Sequence, residues 1–207
     1  MGSQCLPQFG ERESLHKKNP VSEEITEEEK VIITYGIRQG CVLLAGFFVV
    51  LLLGLVFGVT AEALLFFLFS YGARIYAGGY HAGTRLGCGV FSFLLSALCC
   101  AWLKFVVLPL PVLSVLVVSA AAVICLFAPV EAENRPLDSI ERQVFGKKAR
   151  IIVLSELLIY GISAFWGWKM LYASVSIGIL LVALLVIAGK ADRCGKERTE
   201  GYENTDM

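Results

Sequence analysis

Charge is missing from four long stretches of this 207-residue chain: residues 39–61, 86–103, 105–130 and 170–189 contain no Asp, Glu, Lys or Arg. A helix needs about 20 apolar residues to cross a hydrocarbon core of about 30 Å, so each stretch reads as a membrane span. With 57% hydrophobic residues and a mean hydropathy of +0.70, the chain exceeds the roughly 45–50% apolar content of soluble domains. These closely spaced runs exclude a water-soluble fold. Histidine is scarce, with only 2 in the chain. The 7 cysteines show no zinc-ligand spacing, and Cys99 and Cys100 are adjacent on a membrane helix. No cysteine falls in a segment predicted to face outside, so nothing calls for a structural disulfide. A glycine-rich nucleotide loop, an internal repeat and low-complexity sequence are also absent. No metal, cofactor or nucleic-acid partner is therefore expected.

Two further segments are weaker span candidates. Ala63–Ala73 is bracketed by Glu62 and Arg74 and crosses only by borrowing Ile75–Tyr80, while Ile151–Trp168 carries Glu156. Counting both predicts an all-α, polytopic transmembrane bundle of about six spans with both termini on one side; the alternative is four spans with re-entrant or surface pieces. Short cytoplasmic loops retain Lys and Arg. With the N-terminus inside, only Lys104 and Lys169 of the 18 basic residues fall outside, so both termini are assigned to the cytoplasm. The zero net charge conceals this asymmetry.

The boundaries follow. Residues 1–21 lack periodicity and are expected to be a disordered cytoplasmic tail. Residues 22–40 are expected to form an amphipathic interfacial helix, with Thr26 and Glu29 in a capping-box pattern. Residues 41–189 would be the membrane domain, with cytoplasmic loops at 74–88 and 129–150, and residues 190–207 a second disordered tail.

The stretch from Arg74 to Cys88 joins the second and third spans on the cytoplasmic side. It holds four glycines, Gly78, Gly79, Gly83 and Gly87, and places His81 seven residues before Cys88. Each glycine costs a helix about 1 kcal/mol relative to Ala, and glycine backbone admits close approach. A thiol attacks as its thiolate, and an imidazole beside it can take the proton and later deliver it to a leaving amine. On a continuous helix the two side chains would share a face about 10 Å apart, so contact requires the glycine segment to bend. Residues alone leave open a histidine that merely anchors a loop at the headgroups.

The run Ala77-Gly78-Gly79-Tyr80-His81-Ala82 with Cys88 resembles the signature of the AgrB family, membrane cysteine peptidases of bacterial peptide quorum sensing. Arg74, seven residues before the histidine, and Gly79, two before it, match the family pattern. The segment Ala128–Leu137 resembles the family's Ala-Pro…basic-Pro segment, with Arg135 as its basic residue. Some members carry several lysines there, whereas Glu133 and Asn134 precede Arg135 here. The resemblance covers roughly residues 25–190.

It implies cleavage of an AgrD-like precursor peptide in the bacterial membrane, at the cytoplasmic face. Cys88 would form an acyl-thioester, His81 would protonate the departing amine, and an internal Cys or Ser of the substrate would close a thiolactone or lactone. Arg74 and Arg85 are assigned either to the precursor's acidic tail or to structural pairing. Arg135, Arg142, Lys147 and Lys148 are weaker candidates for the tail. Glu131, Glu133, Asn134 and Asp138 each remain open as a partner for His81. The implied partners are the precursor and the lipid bilayer; the oligomeric state is not fixed by the sequence, and a homodimer stays open. The competing class is a transporter or scaffold without enzymatic activity, argued from the intramembrane Glu156, from Pro109 and Pro111 interrupting the fourth span, and from Gly54, Gly58, Gly161 and Gly178 as close-packing points.

Overall fold

A computed structural model describes residues 27–80, 84–130 and 138–203. They form six α-helices and no β-strand: α1 (Glu27–Phe57), α2 (Thr60–Ala77), α3 (Arg85–Phe105), α4 (Leu110–Phe127), α5 (Ser139–Phe165) and α6 (Lys169–Glu203). Four contain segments long and apolar enough to cross a membrane: Gln39–Phe57, Leu86–Phe105, Leu110–Phe127 and Lys169–Gly195. They coincide with the four uncharged stretches, so the all-helical membrane architecture read from sequence holds. The two weaker candidates, α2 and α5, are helices of 18 and 27 residues outside that group of four.

Helix ends follow local chemistry. Gly58, at φ 70°, breaks α1 from α2, and the Val59 amide donates to the Gly54 carbonyl at 2.9 Å. A Cβ on Gly54 would sit 2.9 Å from the Thr60 Cα, so glycine permits this tight hairpin. Pro109 is the N-cap of α4 and Pro111 lies in its first turn. A first-turn amide has no intrahelical acceptor, so proline loses nothing there. The two prolines therefore start the fourth span instead of interrupting it, which removes them from the case for a transporter.

The chain divides into two compact units, residues 1–40 and 41–207. The described part of the first is the helical segment 27–40. In the second, α6 packs against α2, α4 and α5, and α3 touches α2 and α6 more lightly. Between lipid-embedded helices close packing, not water exclusion, drives association, and small residues let backbones approach. Ala73 and Ala77 of α2, Ala121 of α4 and Val182 of α6 accordingly share one buried core. A Cβ on Gly178 would lie 3.4 Å from Phe69 Cβ. Cys99 and Cys100 are buried against apolar neighbours. Ser163 and Ser174 return their hydroxyls to helix carbonyls, of Tyr160 and Met170, at 2.9 and 2.7 Å, the usual way to satisfy a hydroxyl away from water. Glu156 is 3% exposed, and its Oε2 has no hydrogen-bond partner among the described residues.

The structure differs from the sequence expectation in two loops and one tail. The segment between α2 and α3 shrinks from 74–88 to 78–84, because both helices propagate into it. The polar segment 129–150 is helical from Ser139. Asp138 and Glu141 explain that start: the Asp138 amide donates to Glu141 Oε2 at 3.4 Å, the side-chain-to-amide half of a capping box, and the Arg142 amide makes the first helical bond, to the Asp138 carbonyl at 2.8 Å. Finally, α6 runs past Gly189 to Glu203, where an unstructured tail was expected over 190–207. Its Lys, Arg, Glu and Ala residues favour helix, and no proline interrupts them.

Candidate functional site

Where α2 ends, Gly78 turns the chain at φ 70° and ψ −147°, and its amide donates to the Arg74 carbonyl at 3.0 Å. Gly79 follows at φ 136°. Residues with a Cβ rarely adopt either conformation. The short strap 78–80 is then tied on both sides. The Val130 amide donates to the Ala77 carbonyl at 2.9 Å, and Val130 forms a parallel bridge with Gly78 just after the cis Ala128–Pro129 bond. A Cβ on Gly78 would collide with the Val130 carbonyl oxygen. On the other side the Tyr80 amide donates to the Leu185 carbonyl of α6 at 3.0 Å, and a Cβ on Gly189 would lie 2.8 Å from Gly79 C and Tyr80 N. The two separated motifs, Ala77–Ala82 and Ala128–Leu137, therefore meet through their described residues. Backbone outside helices needs such partners wherever it is shielded from water.

Arg74 is half-buried, and its guanidinium donates to the Tyr80 carbonyl at 3.4 Å. Cys88 is a free, half-buried thiol in the first turn of α3, where the macrodipole favours negative charge. Thr84 caps that turn: its hydroxyl accepts from the Gly87 amide at 3.1 Å, and its carbonyl from the Cys88 amide at 3.0 Å. The Tyr80 ring meets Phe91 of α3 edge-on, with centroids 5.5 Å apart.

Of the residues singled out from sequence, Arg74 and Gly79 meet at the strap, Cys88 stands in the first turn of α3, and Arg85 is the first residue of that helix. His81 and Arg135 lie outside the described residues, as do Glu131, Glu133 and Asn134. Arg142, Lys147 and Lys148 stand on α5; the Lys148 Nζ is 5.3 Å from the Tyr76 ring centroid. Thr84, Leu185 and Gly189 were not anticipated. Thr84 had a readable signal, a capping residue just before an apolar run. Gly189 and Leu185 had none, since their role lies in tertiary contact. Among the described residues no group of His, Cys, Asp and Glu gathers as metal ligands.

This fold and site define a helical membrane protein that presents a thiol and a glycine strap between its helix ends. The chain belongs to the accessory gene regulator B family, whose model matches residues 13–187. Membership places it with proteins of accessory gene regulator peptide maturation. It is 29% identical to AgrB-like protein 2 of Clostridium perfringens (strain 13 / Type A) over 148 residues, 65% of this chain and 67% of that relative. An AgrB-like protein of Clostridium perfringens (strain SM101 / Type A) is 28% identical over 180 residues, 78% and 81% of the two chains. No solved structure matches the chain.

Proposed function

We propose that this protein is a membrane-embedded cysteine endopeptidase that cleaves an AgrD-like precursor peptide and promotes its cyclisation. The observation that carries this reading is Arg74, whose guanidinium donates to the Tyr80 carbonyl and so ties the backbone leading into His81, on the strap that precedes the helix bearing Cys88. Cys88 Sγ attacks the carbonyl at the end of the precursor's core, after its proton passes to His81. The C–N bond breaks, His81 returns that proton to the departing amine, and the core remains as an acyl-thioester. A thiol or hydroxyl within the substrate then attacks the same carbonyl, and Cys88 leaves with the nucleophile's proton. Ring closure competes with hydrolysis, so the thioester must be shielded from water. The strap is suited to this, since its amides at Gly78 and Tyr80 are already bonded to protein carbonyls.

In this reading α2 and α5 also cross the bilayer, giving six spans, cytoplasmic termini and a cytoplasmic site in the bacterial membrane. The helix at 22–40 lies at the interface, and Gly79 and Arg74 shape the strap. Arg85 and Arg135 remain candidates for the precursor's acidic tail. The buried Glu156 favours one competing reading, a transporter or scaffold. Co-expression with the precursor separates them. Intact mass should show shortened precursor with the wild type and none with Cys88→Ser or His81→Ala. Equal shortening by the wild type and Cys88→Ser would remove the thiol mechanism.

A further inference from the structure

A cavity of about 820 Å³ opens between the ends of α4, α5 and α6, and Val130, the bridge partner of Gly78, is among its lining residues. Five cationic side chains line it: Arg142, Lys147 and Arg150 of α5, and Lys190 and Arg193 of α6. Among the described residues no carboxylate lines it. We propose that this cavity is a binding site for the phosphate headgroup of an anionic phospholipid.

Depth is the first argument. The uncharged stretch of α4 ends with Val130, that of α6 with Gly189, and the apolar part of α5 begins at Ile151. The cations therefore sit where three helices leave the hydrocarbon, at the level of lipid phosphates. Topology alone supplies scattered basic residues on a cytoplasmic surface. Here the helical register gathers them: Lys147 and Arg150 are three residues apart on α5, with Arg142 two turns before Arg150, and Lys190 and Arg193 are three apart on α6. Two are held by the structure itself. Arg150 Nε donates to the Cys125 carbonyl at 3.2 Å, and Lys190 Nζ lies 3.9 Å from the Phe127 ring centroid.

The second argument is the wall. Leu126 is 75% exposed and Phe127 40% exposed, and both line the cavity at the end of an apolar span. A site flanked by lipid-facing apolar side chains and floored by cations accepts an amphiphile, with acyl chains along α4 and phosphate among the guanidinium and ammonium groups. A water-borne anion has no use for the exposed Leu126.

The test uses the full chain in neutral detergent, with native mass spectrometry after adding phosphatidylglycerol or phosphatidylcholine. The wild type should retain phosphatidylglycerol about tenfold better, and Lys147→Gln with Arg150→Gln should abolish that preference. Lys147→Gln alone leaves the Arg150–Cys125 bond intact and should weaken it about fivefold, so a folding defect cannot mimic the result. Lys104→Gln, at the opposite end of its span, should change nothing. Equal retention of the two lipids, or an undiminished preference in the double variant, overturns the proposal. So does release of the lipid by millimolar inorganic phosphate, which would mark a free-phosphate site. Capture of a polyglutamate peptide without any lipid preference would mark a peptide site and likewise overturn it.

Discussion

The guanidinium of Arg74 donates to the carbonyl oxygen of Tyr80, 3.4 Å away across the glycine turn. A planar fork with several donors suits a side chain that holds backbone. In the proposed reaction Arg74 acts as a positioning residue. Arg74→Ala should lower single-turnover cleavage of the precursor by about 100-fold, the scale set by small misplacements of reacting groups. Arg74→Lys keeps the charge without the fork and should recover only part of the rate. Precursor affinity should stay unchanged in both. A loss confined to affinity would instead make Arg74 a binder of the acidic tail.

Two glycines should resist alanine for different reasons. Gly78 has a backbone conformation that disfavours a Cβ and faces the Val130 carbonyl, so Gly78→Ala should destabilise the protein by roughly 1–3 kcal/mol or more. Gly189 is helical, where alanine ordinarily gains about 1 kcal/mol. Its Cβ would nevertheless sit 2.8 Å from the backbone of the strap, so Gly189→Ala should reverse that sign. Gly89, with nothing within 4 Å of its Cβ, should show the ordinary gain. Unfolding in mixed micelles, followed by circular dichroism, ranks the three.

Thr84 holds the helix turn that carries the thiol. Thr84→Ala removes the acceptor for the Gly87 amide and should cost about 1 kcal/mol. Thr84→Ser should restore stability and precursor cleavage together. Restored stability without restored cleavage would show that the methyl group, and not the cap, serves the site.

Much of this molecule was legible because membrane burial writes itself into sequence. The uncharged runs located four spans, and the family resemblance singled out Arg74 and Gly79, which lie at the same strap. What escaped notice was set by contacts between distant segments. Val130 could be named as part of a motif, but not as the partner of Gly78, because a backbone bridge leaves no mark on side-chain identity. Gly189 looked like the end of an apolar run. The start of α5 was different: Asp138 and Glu141 carried a capping signal, hidden among the surrounding polar residues.

The anchoring of Tyr80 to Leu185 also sets an order of events during synthesis. A growing polypeptide that has emerged only through α5 contains the thiol, the strap and Val130, but lacks the carbonyl that accepts the Tyr80 amide. The strap is thus fully tied only once the last helix is in place. A message broken before the Leu185 codon would leave a membrane-bound product with its sulfur in place and its strap fastened on one side only.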